Sequence, residues 1–127
     1  MDTIRKADSR RGRIAYEVAG LAWLAEASDP GAAVVPVLDY GATWLEEPRL
    51  VSVAPPPKAA EDFGRALAHT HAAGASHLGA PPPGFEGDGW MGEAHLSLPA
   101  HPSPAPASSH GKSWGAFYAR ERIAPNA

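Results

Sequence analysis

The sequence predicts an α+β protein, and three observations carry that prediction. Two segments, 13–27 and 58–73, repeat apolar residues at helical spacing. Short stretches rich in β-branched residues lie between them, and a triple proline, Pro55 to Pro57, divides those stretches from the second helix. The chain has 127 residues, of which 14 are Pro, 13 Gly and 26 Ala. One ordinary domain fits that length, and the excess of small and structure-breaking residues implies a thin core with long irregular segments.

Thr3 to Arg5 reads as a short strand-like stub with Lys6 at its end, followed by a polar turn, Asp8 to Gly12. From Arg13 to Ala27, Ile14, Val18, Leu21 and Ala25 mark one helical face, and Asp29-Pro30-Gly31 ends it. Val34 to Gly41 reads as a strand that Pro36 demotes toward an edge. Thr43 to Leu45 and Leu50 to Val53 are further strand candidates around a Glu46-Glu47-Pro48 turn. Proline cannot donate to a ladder but suits a helix's first turn, so the triple proline leads into a helix over Lys58–Ala73. Its face is Phe63, Ala66, Leu67 and Thr70, with Gly74 as the residue just past the end.

Between Gly79 and Gly111, 13 of 33 residues are Pro or Gly, which reads as a loop with neither a helix nor a central strand. Phe85, Trp90 and Met91 would pin that loop. His101 to His110 has the composition of a disordered stretch, and a last helix over Ser113–Ile123 aligns Trp114, Phe117, Tyr118 and Glu121.

A formal charge of −3, with 11 Lys and Arg scattered among 14 Asp and Glu, supplies no basic face and disfavours nucleic acid as a partner. No apolar run approaches the roughly 20 residues of a membrane span, and Met1 to Lys6 lacks a signal peptide's apolar region. With no Cys, disulfides and thiolate chemistry are excluded, and a cytoplasmic setting is expected.

Glu17 is the acid least at ease as ordinary surface, because it borders the apolar stripe four residues before Leu21. Lys6, one of three lysines, could reach it. A strand lysine paired with a glutamate on the next helix is the device kinases use to hold nucleotide phosphates. On spacing alone, two solvated surface charges are the commoner outcome. The two cases differ in energy: breaking a buried pair costs about 3–5 kcal/mol, an exposed one close to nothing.

His69 and His71 point about 200° apart on a helix and cannot share a metal ion. The glycines from Gly84 to Gly92 follow prolines rather than a strand, so they make a poor phosphate loop. No paired carboxylates stand out, nor any Ser, His and Asp set with a nucleophile elbow. Asp88, in a glycine-flanked turn, is either a ligand contact or an Asx-turn residue.

Four pieces of the chain resemble the fructosamine kinase (ketosamine kinase) family, in particular its bacterial branch. They are DFGRALAHTHAAG from Asp62 to Gly74, GAPPPGFEGDGWMG from Gly79 to Gly92, Ile4 to Lys6 with YEVAGL from Tyr16 to Leu21, and SWGAFYARER from Ser113 to Arg122. The resemblance implies a protein-kinase-like, aminoglycoside-phosphotransferase-like fold, incomplete here. Residues 1–54 would be a partial N-terminal lobe, 55–78 the hinge connector and first helix of the second lobe, 79–111 the Pro/Gly-rich loop and 112–127 the start of a further helix.

The implied activity is transfer of the ATP γ-phosphoryl, with Mg²⁺, to a sugar hydroxyl of a small-molecule ketosamine or a glycated protein. Lys6 would contact the α- and β-phosphates with Glu17 as its helix partner. Val51, Ser52 and Val53, within a hinge over Leu50–Ala54, would meet adenine through backbone groups, and Asp88 would stand near the substrate. The family's glycine-rich loop belongs before Lys6, and its His-Gly-Asp catalytic loop and Mg²⁺-binding Asp belong beyond Tyr118. Neither motif occurs in the sequence, so the catalytic base is missing, and this chain alone is expected to be inactive. The alternative is a kinase remnant that serves as a non-catalytic binding or interaction module.

Overall fold

The computed structural model describes residues 1–102 and 114–127, which form an α+β arrangement of three helices, a three-stranded antiparallel sheet and a two-stranded hairpin. These residues divide after Gly74 into two units, 1–74 and 75–127.

In the first unit the sheet order is β1 (Thr3–Ala7), β3 (Trp44–Pro48), β2 (Asp39–Tyr40), with α1 (Arg13–Glu26) inserted between β1 and β2. β1 runs antiparallel to β3 with Lys6 opposite Leu45 and Arg5 opposite Glu46. Asp8 N–H donates to Thr43 O at 2.8 Å and Arg49 N–H to Asp2 O at 3.0 Å. Antiparallel bonding alternates, so Ile4 and Lys6 bond toward β3, whereas Thr3, Arg5 and Ala7 direct their backbone groups to the free edge.

Side chains alternate in the same way. Leu45, fully buried, therefore shares one face with Lys6, and Ile14 of α1 is the unit's other buried large side chain. Arg5 lies on the opposite face, bonded to Glu46 at 3.0 Å with its guanidinium 4.0 Å from the Trp44 ring.

The turn between β1 and α1 is built on Asp8. Its carboxylate accepts from the Arg10 backbone N–H at 2.9 Å and from the Arg10 guanidinium, with Arg13 at 3.8 Å. These bonds, the Arg10 side chain's foremost, hold the Asp8 carboxyl at about 2, below its ordinary 3.8.

Three expectations about the sheet are corrected. Val34 to Gly41 contributes only β2, because Pro36 removes a donor and pairing begins at Leu38 N–H, which bonds Glu46 O at 2.8 Å. Glu46-Glu47-Pro48 is the end of β3, the central strand, and no turn forms there. Pro48 is tolerated because its missing N–H would point away from β1, beyond Asp39, the first residue of β2. Leu50 to Val53 consequently leaves the sheet, and Leu50, Val51 and Val53 are exposed.

The expected second helix is present as α2 (Pro57–Ala72), with proline at its start and Gly74 at φ +70° beyond its end. It is tied to the rest of the unit at Thr70, whose hydroxyl accepts from Ala32 N–H at 2.9 Å. Gly31 is required beside this bond, since a Cβ there would lie 2.7 Å from Thr70 Oγ1 and 2.0 Å from Ala27 O. The expected face is only partly covered: Ala66, Leu67 and Thr70 are half-buried, while Phe63 is exposed.

In the second unit the Pro/Gly-rich stretch, expected to be a loop, holds no helix over its described residues but does form a hairpin of β4 (Gly89–Met91) and β5 (Ala94–Leu96). Trp90 and Phe85 are half-buried, but Met91 is exposed and does not pin the segment. The last helix, α3 (Trp114–Tyr118), widens to a π turn over Ala119–Ile123. Trp114 and Tyr118 stack at 4.7 Å, and the Arg122 guanidinium sits 4.9 Å from the Phe117 ring. Most of the stretch expected to be disordered, His101–His110, and the expected helix start at Ser113 lie outside the described residues.

The burial pattern makes Leu45 and Ile14 the most sensitive apolar positions of the first unit. Leu45→Ala is expected to cost about 2–5 kcal/mol and Phe63→Ser no more than about 0.5 kcal/mol, read from urea unfolding midpoints. Because the folded-state pKa of Asp8 is depressed, its contribution to stability is present above about pH 4 and disappears as pH falls toward 2. Asp8→Asn should flatten the stability-versus-pH curve in that window, measured by urea unfolding across the acid range.

Candidate functional site

Alternation along β1 aims Lys6 at the face where α1 packs, and the first turn and a half of α1 carries Glu17 to the same place. Lys6 Nζ and Glu17 Oε1 form an ion pair. The lysine side chain is 46% exposed and the glutamate 29%, so the pair stays in contact with water and is not a buried ion pair. An ammonium has three donors and Glu17 takes one, so the lysine can still meet a second anion.

Beside the pair's helix runs an open groove of about 420 Å³ between α1 and residues 35–40, walled by Val18, Leu21, Val35 and Val37.

The other expected site residues lie apart from this pair in kind. Val51, Ser52 and Val53 occupy the connector between β3 and α2, and their backbone groups are outside the sheet ladder. Asp88 belongs to the second unit, where its Oδ1 accepts from Leu98 N–H at 3.0 Å and its Oδ2 lies 3.3 Å from His95 Nε2. It closes its own hairpin, a longer-range version of the Asx-turn role. Among the described residues, no three His, Asp or Glu side chains converge as a metal ligand set.

One arrangement was not visible in the sequence. Ser76 Oγ lies 2.8 Å from His77 Nδ1, and His77 Nε2 lies 2.6 Å from the carbonyl oxygen of Pro99. The signal was half present in the adjacent Ser76-His77, but the third partner is a backbone carbonyl 22 residues away.

Comparison of the chain with family models, with characterised proteins and with solved structures gives no match. No helix of the described residues is long and apolar enough to cross a membrane.

The exposure of the Lys6–Glu17 pair sets its energetic weight. A double-mutant cycle of Lys6→Ala and Glu17→Ala should give a coupling of about 0.2–1 kcal/mol that shrinks in molar salt. A coupling of about 3 kcal/mol or more would mean that the pair is buried in solution.

Proposed function

We propose that the chain carries the phosphate-holding part of an ATP-dependent ketosamine kinase, the activity that its resemblance to the fructosamine kinases implies. The observation that supports this most is the ion pair between Lys6, inside a strand of an antiparallel sheet, and Glu17, on the helix that follows that strand. The order of parts also agrees: strand, helix, two strands, a connector that holds 51–53, then a helix.

In this reading Glu17 keeps the lysine stem in one direction, and Lys6 neutralises charge on the α- and β-phosphates of ATP. Residues 51–53 offer backbone donors and acceptors to the adenine edge. ATP when bound supplies the γ-phosphoryl that passes to a sugar hydroxyl of the ketosamine. The described residues fit a phosphate contact, because Lys6 is half exposed, but they do not supply a ligand set for Mg²⁺. The 127 residues contain no His-Gly-Asp sequence to accept the hydroxyl proton, so the chain by itself is expected to bind nucleotide without transferring phosphate.

The exposed Leu50, Val51, Val53 and Phe63 favour a second reading, a non-catalytic module that binds another protein through apolar side chains such as these.

Calorimetric titration separates the two. The kinase reading expects Mg-ATP to bind, Lys6→Ala to weaken ATP by tenfold or more, and AMP, which lacks the β- and γ-phosphates, to be affected much less. Folded protein that shows no heat with ATP, or a Lys6→Ala variant with unchanged affinity, would exclude the phosphate role and leave the interaction module.

A further inference from the structure

The Ser76, His77 and Pro99 arrangement belongs wholly to the second unit and uses nothing of the Lys6–Glu17 pair. A carbonyl oxygen can only accept, so the 2.6 Å contact with Pro99 places the proton of the neutral imidazole on Nε2. Nδ1 is then a bare lone pair, and the Ser76 hydroxyl 2.8 Å away is the donor to it. The order is hydroxyl, base, and a group that fixes the base's tautomer and direction, which is the general pattern of an activated oxygen nucleophile.

Two further features suit that role. Ser76 is exposed, so a substrate can approach Oγ, while His77 is half-buried and held from its far side. The loop carrying them is also braced. Gly79, at φ +75°, lies so close to the Phe117 ring that a Cβ there would come within 2.6 Å of Cζ, and Ala80 N–H closes a turn onto His77 O at 3.3 Å. A nucleophile and base on a braced turn hold their geometry without a ligand to organise them.

We infer that Ser76 is a nucleophile, with His77 as its general base, toward carboxylic esters that carry good leaving groups. Ser76 Oγ bonds to the acyl carbon as its proton passes to His77 Nδ1. The bond from the acyl carbon to the leaving oxygen then breaks, and that oxygen takes the proton from Nδ1. A water oxygen then bonds to the acyl carbon as its proton passes to Nδ1, the bond from the acyl carbon to Oγ breaks, Oγ takes that proton back, and the carboxylic acid leaves. The carbonyl of Pro99 touches no substrate; it positions the imidazole.

General-base assistance of this kind is worth about 10²–10⁴-fold in rate. That factor is measurable inside one chain, because Ser28 donates to the carbonyl of Ala25 and Ser52 stands on the exposed connector. The full chain is treated with p-nitrophenyl acetate at neutral pH and the acetylated positions are quantified over time by peptide mass mapping. Ser76 is expected to acetylate at least about 100-fold faster than Ser28 or Ser52. Ser76→Ala should remove that adduct with the circular dichroism spectrum unchanged, and His77→Gln, whose amide can still donate to Pro99 O, should slow Ser76 to the rate of the other serines. Acetylation of Ser76 no faster than Ser28 and Ser52 in the unaltered chain overturns the inference whether or not the His77 variant folds. So does full-speed acetylation in a folded His77→Gln.

Discussion

The pairing of β1 with β3 fixes nearly everything else in the first unit. Lys6 stands opposite Leu45, and a strand turns successive side chains to opposite faces. Leu45 therefore goes beneath α1, Lys6 reaches Glu17, and Arg5 turns outward to Glu46 and Trp44. A slip of one residue would turn Arg5 and Lys6 each to the other face relative to Leu45. The Asp8 turn makes the same register work from the other end, because it returns the chain to start α1 five residues after its Asp8 N–H has bonded Thr43 O. Pro48 limits the sheet at the far end, since it falls where β3 has no neighbour left to receive a donor.

The register also explains why the unit is so lightly packed. With β2 only two residues long, the sheet offers α1 a narrow floor, and Ile14 and Leu45 are the large side chains it buries completely. α2 is tied on through the Thr70 hydroxyl and leaves Phe63 to solvent. The abundance of Ala, Gly and Pro is the cause at the level of sequence. Few side chains are long enough to fill a core, so fixed polar bonds, at Asp8, Thr70, Asp88 and His77, hold the segments in place. A polar pair such as Lys6–Glu17 then stays half in water, where it is weak as a stabilising contact and open to a third charged group.

Helices were legible in the sequence because their signals are local and repeated. The 3.6-residue spacing of Ile14, Val18, Leu21 and Ala25 marks α1, and three prolines followed by a glycine frame α2. The Lys6–Glu17 pair could be read because only the turn after β1 and the first turn of α1 separate the two residues. Strands were harder to read, as their evidence lies on the partner. Glu46-Glu47-Pro48 has turn composition, and only the direction of β3's unused donors shows why a strand tolerates it. Val34 to Val37 has strand composition but joins no ladder among the described residues. The β4 and β5 strands, three residues each, were hidden by the surrounding prolines and glycines. Ser76-His77 carries meaning only with a carbonyl at Pro99 that no residue type announces.

The claim on which the rest depends is the β1 to β3 register, and it is open to direct measurement by nuclear Overhauser spectroscopy. In an antiparallel pair, the non-hydrogen-bonded residues bring their Cα atoms to about 4.5 Å, close enough for strong Hα to Hα cross-peaks. The bonding order here makes Arg5 and Glu46 such a pair, with Ala7 and Trp44 the next. Strong cross-peaks joining Arg5 to Glu46 and Ala7 to Trp44 are the result this structure predicts. A cross-peak joining Arg5 to Leu45 or to Glu47 instead would place Lys6 away from α1 and contradict the placement of the Lys6–Glu17 pair.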